Sequence, residues 1–194
     1  MLAKTQSNIR LAQPSDEAEI IRLIGLMHAE GGWQPLDVDA VRETLARAFD
    51  RKGGILVVIG APGHIRAMMF VLITRWWFTR HNHLEELFNW VHPDHRNSDY
   101  AKLLIEYAKA ASDELSESMG RKVPLMMGVL TNRRMSAKVR LYRRFFGWPV
   151  GAFFLHNAAW VNRDEITEED IWRIPSVMKF FQRAERKDKP RARV

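Results

Sequence analysis

Two adjacent carboxylates, Glu85 and Glu86, stand near the start of an apolar run, residues 84–91, and a polar, basic segment follows: His92-Pro93-Asp94-His95-Arg96-Asn97-Ser98-Asp99. A carboxylate can take a proton from an attacking group, and arginine and lysine can hold phosphate. Arg96 and Lys102 flank the point where the pattern changes from strand to helix. The run 84–91 has strand length, and Pro93 lacks the N–H needed to extend a ladder. From Tyr100 the apolar residues recur at helical spacing, at Leu103, Leu104, Tyr107, Ala108 and Ala111, with Ser98 or Asp99 the expected N-cap. A helix entered this way offers unpaired N–H groups and the positive end of its dipole. With the two cations nearby, that suits a phosphate or pyrophosphate. The same residues also fit an ordinary strand–turn–helix whose cations are merely solvated.

The stretch Val91-His92-Pro93-Asp94-His95-Arg96-Asn97-Ser98-Asp99-Tyr100-Ala101 resembles the acetyl-CoA-binding motif of the GCN5-related N-acetyltransferases, V-x-P-x-x-R/Q-x-x-G-x-G/A followed by a helix. Val91, Pro93, Arg96 and Ala101 fall on the pattern, and Asp99 replaces its first glycine. Glycine there lets the backbone approach a pyrophosphate, whereas aspartate adds bulk and like charge. Either the loop is distorted or Asp99 turns away to cap the helix.

The resemblance implies acetyl-CoA as co-substrate and an amine as acceptor. It implies that Arg96, Asn97, Ser98, Asp99, Tyr100, Ala101 and Lys102 hold the pyrophosphate. Backbone around Asn89, Trp90 and Val91 would hold the pantetheine and polarise the thioester carbonyl, and Asn132 would contact the pantetheine arm. Ala137-Lys138-Val139-Arg140-Leu141-Tyr142 resembles the family's A-x-x-L-Y context, which implies Tyr142 as the acid that protonates the departing thiolate. The segment after it is one residue longer than the common form, with Trp148 for the usual phenylalanine. Tyr142 equally suits an aromatic packing its own helix. The base is a carboxylate on the central strand in many relatives. Glu85 and Glu86 are the candidates, and alternation sends them to opposite faces, so one alone enters the site. Leu87 occupies the natural position two before Asn89, and His83 and His156 are the alternatives.

These groups need a scaffold. Residues 8–12 alternate as a first strand, and Ser15 or Asp16 is the expected cap of a helix with the stripe Ile20, Ile21, Leu23, Ile24 and Met27. Gly31-Gly32 breaks that helix, and Trp33 lies either in an acceptor pocket or on the core. A second helix is expected over 37–49. Strands are expected over 55–59 and 65–78 around Gly60-Ala61-Pro62-Gly63, then over 123–130 and 152–157, with a helix over 134–146 before the last. That order implies a mixed sheet with helices on its faces. The resemblance implies an α/β (α+β) fold with a mostly antiparallel sheet flanked by helices on both faces. It spans residues 8–157, so residues 1–162 form the expected domain and 163–194 an appendage with a short helix and a basic tail.

Composition narrows the function. The chain has 194 residues, 46% of them hydrophobic, enough for one well-buried domain. It has no cysteine, which rules out disulfides, thiolate metal sites and a cysteine nucleophile. His81, His83, His92 and His95 lie on separate elements without a recognisable ligand spacing, so no metal is expected. No apolar run reaches the length of a membrane span and no signal-peptide pattern opens the sequence, so a cytoplasmic protein with no membrane partner is expected. Of the formal charge of +7, a net of +4 lies in 183–194, where six Lys/Arg oppose Glu185 and Asp188. That tail, the basic pairs Arg133-Arg134 and Arg143-Arg144 and the tryptophans motivate a nucleic-acid-binding or nucleic-acid-modifying alternative. Asp99 motivates a second alternative, a non-catalytic module. A homodimer is compatible with either.

Overall fold

The computed structural model describes residues 9–131 and 134–151. They fall into two compact units: residues 9–29 and 35–128 in the first, 30–34, 129–131 and 134–151 in the second.

The first unit is built on a sheet of five strands in chain order: β1 (Ile9–Leu11), β2 (Gly54–Ile59), β3 (Ala67–Thr74), β4 (His83–Val91) and β5 (Leu125–Met126). The first four pair antiparallel, and β5 joins β4 in parallel. Helices α1 (Glu17–Gly31) and α2 (Val38–Phe49) follow β1, and α3 (Tyr100–Ser118) makes the crossover from β4 to β5. The architecture is the mixed, mostly antiparallel sheet with helices on both faces that the resemblance implies. On one face Ile20, Leu23 and Leu45 of α1 and α2 pack against Leu56, Val58, Met68, Phe70 and Trp90. On the other, Tyr107, Ala108 and Ala111 of α3 meet Ile55, Val57, Val71 and Leu84. The continuous apolar run in β2 follows from this burial on both sides. Gly60, at φ +128, closes the β2–β3 turn where a Cβ would collide with the His64 carbonyl.

Three local expectations are corrected, and the choice between Ser98 and Asp99 as the cap of α3 is decided. β3 ends at Thr74, not at residue 78, and residues 75–82 form a loop. Thr74 pairs with His83, the first residue of β4, so the aromatics beyond it have no strand opposite them. β5 shrinks from the expected 123–130 to two residues, because β4 offers it partners only at Leu84 and Glu85.

Neither Ser15 nor Asp16 caps α1 with its side chain. Asp16 ends a turn of 3-10 helix, Pro14–Asp16, and is 1% exposed. It accepts from Arg10 at 2.6 and 2.8 Å and from the Gln13 N–H at 2.9 Å. A carboxylate this deep is tolerated because a bidentate guanidinium and a backbone donor satisfy it. Those Arg10 hydrogen bonds hold the Asp16 carboxyl below its ordinary value, with the Gln13 N–H adding to them.

Asp99 stands at the N-cap position of α3, but its side chain makes no cap. Its ψ of 11° is outside the extended conformation from which a side chain reaches back over the first turn. Ser98 serves instead: its Oγ accepts the Tyr100 N–H at 3.3 Å and donates to the His95 carbonyl at 2.6 Å.

Candidate functional site

β4 positions the site. At Leu84 and Glu85 it is paired on both edges, to β3 and to Leu125 and Met126 of β5. Beyond Glu85 the pairing with β3 continues to Val91, opposite Ala67, while the register with β5 stops. Among the described residues, the register of β4 with β5 thus covers Leu84 and Glu85 and does not extend to residues 86–91.

A bulge lies at this divergence. The register passes from Val71↔Glu86 to Phe70↔Phe88 and leaves Leu87 over, half exposed. A bulge resets the alternation of faces. Glu85 lies opposite Leu72, on the face of α1 and α2, and past the bulge Phe88 and Trp90 take that same face. Glu86 lies opposite Val71, on the α3 face, with Asn89 following it there.

Glu85 has a neighbour on its own face: its Oε2 is 3.6 Å from Nε2 of His83. His83 is 5% exposed and stacks on Trp76 at 5.8 Å and 15°. Neither of its ring nitrogens has a hydrogen-bond partner among the described residues. The Asn89 amide is likewise buried with both polar atoms unpartnered. Orphaned polar atoms of this kind are uncommon inside proteins; His83 opens β4, and Asn89 lies past the point where its register with β5 ends.

β4 leads directly into the phosphate-loop sequence. A turn of 3-10 helix, Pro93–His95, follows β4. Arg96 Nε reaches back to the Val91 carbonyl at 3.3 Å, tying the loop to the strand. The first intrahelical bond of α3 runs from the Leu103 N–H to the Asp99 carbonyl at 2.9 Å. The Ala101 and Lys102 N–H groups thus lie in the first turn without an intrahelical acceptor. Asn97, Ser98, Asp99 and Lys102 are exposed, and Lys102 Nζ is 3.9 Å from Glu106 Oε1. This is a donor-rich, basic rim capable of receiving a diphosphate.

Arg66 belongs to the same rim and escaped the sequence reading. Its Nη1 donates to the Tyr100 hydroxyl at 3.2 Å, and its carbonyl accepts the His92 N–H at 2.8 Å. The signal was available: the Gly60–Gly63 turn makes β2 and β3 a hairpin, and pairing β3 with β4 sets Arg66 beside His92.

The second unit carries α4 (Met135–Phe146), close to the expected 134–146. Tyr142 is buried in it, with Lys138 Nζ 5.3 Å from its ring centre and the Phe146 ring at 6.2 Å. Asn132, His156, the expected strand over 152–157 and the appendage 163–194 lie outside the described residues.

No protein-family model matches the sequence, and no curated protein matches it either. Solved structures do match in fold. A possible acetyltransferase from Clostridium difficile 630 superposes with a TM-score of 0.60 at 17% identity, over 77% of this chain and 95% of that one. The ribosomal-protein-alanine N-acetyltransferase of Brucella melitensis biovar Abortus 2308 gives a TM-score of 0.58 at 19% identity, over 77% and 97%. AAC(6')-Iy, solved with the bisubstrate analog CoA-S-monomethyl-acetylneamine, gives 0.57 at 14% identity, over 79% and 98%. The fold is that of the GCN5-related N-acetyltransferases.

Proposed function

We propose that the chain is an acetyl-CoA-dependent N-acetyltransferase acting on a primary amine of a small molecule or a protein. One observation carries this reading: past Glu85 the pairing of β4 with β3 continues to Val91 while its register with β5 has ended, and the strand runs without a break into the turn and the donor-rich start of α3. The fold neighbours, one of them solved with a CoA-containing bisubstrate analog, support it. The compartment that goes with this reading is the cytoplasm.

Acetyl-CoA, when bound, supplies the activated acetyl group. The Ala101 and Lys102 N–H groups, with Arg96 and Lys102, hold the diphosphate. Asn97, Ser98, Asp99 and Tyr100 shape that rim. The backbone around Asn89, Trp90 and Val91 holds the pantetheine, and a backbone N–H there polarises the thioester carbonyl. Asn132 serves the pantetheine arm. Glu85 accepts the proton of the attacking amine, directly or through water, because it shares its face with an imidazole that keeps a second polar group beside it. Glu86, on the α3 face, is the lesser candidate. The resemblance, rather than any geometry between the two units, assigns Tyr142 the proton that the departing sulfur takes.

Calorimetric titration with acetyl-CoA and with CoA tests the reading, followed by a thiol-release screen of amine acceptors. Micromolar binding and amine-dependent thiol release are expected. No binding at millimolar cofactor would overturn the proposal.

A further inference from the structure

The loop between β3 and β4, residues 75–82, exposes three consecutive aromatic rings. Trp77 is 91% exposed, Phe78 67% and Trp76 45%. A contiguous apolar patch held in water marks an interaction site more often than chance packing. This one is held in place. Trp76 stacks with both His83 and Phe78, each at 15°, and Trp77 stands edge-on to Phe78 at 89°. The Thr79 N–H donates to the Trp76 carbonyl at 3.2 Å, and the His81 N–H to Thr79 Oγ1 at 3.1 Å.

Exposed cations flank the patch. Arg75 and Arg80 flank it and are exposed. Arg51 and Lys52 lie at the same end of the sheet, because Gly54 pairs with Leu72 and the Ile73 N–H bonds the Gly53 carbonyl. No aspartate or glutamate occurs in sequence between Asp50 and Glu85, and Asp50 is itself 3.5 Å from Lys52 Nζ. Val91 and the phosphate rim lie at the far end of β4, about 26 Å away at the usual rise of a strand.

We propose that this end of the sheet docks on an anionic phospholipid surface. Trp77 and Phe78 enter the boundary between headgroups and acyl chains, and Arg75 and Arg80 meet lipid phosphates. This is peripheral attachment, which needs no spanning segment. A bilayer suits the loop better than a single-stranded nucleic acid. Base stacking needs open ring faces, whereas Trp76 and Phe78 engage each other and His83, and an apolar tip leads with the cations behind it. The proposal does not depend on the acetyl-CoA reading: Trp76 stacks on His83, the neighbour of Glu85, but the variants that test the docking leave His83 in place.

Flotation of the full chain tests it, with vesicles of equal parts phosphatidylcholine and phosphatidylglycerol beside vesicles of phosphatidylcholine alone. A single-stranded oligonucleotide is titrated in parallel. Flotation with the anionic vesicles is expected, reduced about tenfold or more on neutral vesicles and in the variant Arg75→Gln/Arg80→Gln. The variant Trp77→Ser/Phe78→Ser should lose it while keeping the wild-type circular dichroism. Failure of the wild type to float, or flotation unchanged in either variant, would overturn the proposal. Binding to the oligonucleotide that exceeds binding to vesicles and needs the same rings would replace the lipid with nucleic acid.

Discussion

Glu85 Oε2 lies 3.6 Å from Nε2 of His83, the buried imidazole two residues before it on the same face of β4. The pairing follows from strand geometry, in which alternate residues share a face, and it separates the two glutamates that are adjacent in sequence. Glu85→Gln should lower kcat/KM about a hundredfold or more while leaving acetyl-CoA affinity unchanged. Glu86→Gln, on the opposite face, should leave turnover near wild type. Steady-state thiol release measures both, and equal losses in the two variants would remove Glu85 as the base. His83→Gln should slow turnover less than Glu85→Gln, because it acts through Glu85.

Tyr142 has a different test, since an acid for the leaving thiolate acts after the cofactor is bound. Tyr142→Phe should slow turnover by about tenfold or more with little change in calorimetric affinity. The ring is retained, so the packing against Phe146 survives the change. An unaffected rate would leave Tyr142 with a packing role alone.

Of the two residues that the sequence offers as the cap of α3, Ser98 accepts the Tyr100 N–H and Asp99 does not. Because Asp99 makes no cap, Asp99→Gly removes a like charge beside the diphosphate rim without breaking a hydrogen bond. Tighter acetyl-CoA binding is expected, with stability unchanged to within about 0.5 kcal/mol. Ser98→Ala should instead cost about 1 kcal/mol, the worth of a lost cap. Calorimetry and denaturant unfolding separate the two, and weaker cofactor binding by Asp99→Gly would mean that the aspartate assists the site.

The Arg10–Asp16 pair predicts a stability effect remote from the site. Asp16→Asn leaves the Arg10 guanidinium without its partner and should cost about 3 kcal/mol. The pH dependence has a definite sign. The folded Asp16 carboxyl is held below its ordinary value, so near pH 4 the unfolded chain binds more protons than the folded one. The contribution is whole above the ordinary carboxylate value of about 4 and is lost as pH falls through the folded value. Denaturant unfolding of wild type and variant should therefore show a gap that narrows on acidification below about pH 4, and a constant gap would contradict it.

Local pattern carried much of the architecture. The stripe Ile20–Leu23–Ile24 determines α1, the unbroken run 55–59 determines β2, and the change of period between Val91 and Tyr100 determines the strand–turn–helix that supports the site. The resemblance of that turn to an acetyl-CoA motif was equally legible, since it rests on residues close together in the chain. Tertiary structure decided where pairing stops and what each polar group meets. Nothing within 65–78 marks Thr74 as the end of β3; the end is set by the pairing of Thr74 with His83. The bulge at Leu87 depends on the register of β3 against β4, and the length of β5 depends on its register with β4, which among the described residues covers Leu84 and Glu85. Asp16 became a buried ion partner and Ser98, not Asp99, became the cap, because a side chain's role follows from the groups brought within hydrogen-bond reach. Periodicity is a property of neighbours in sequence, whereas register, burial and orphaned groups such as Asn89 and His83 arise only when separate elements meet.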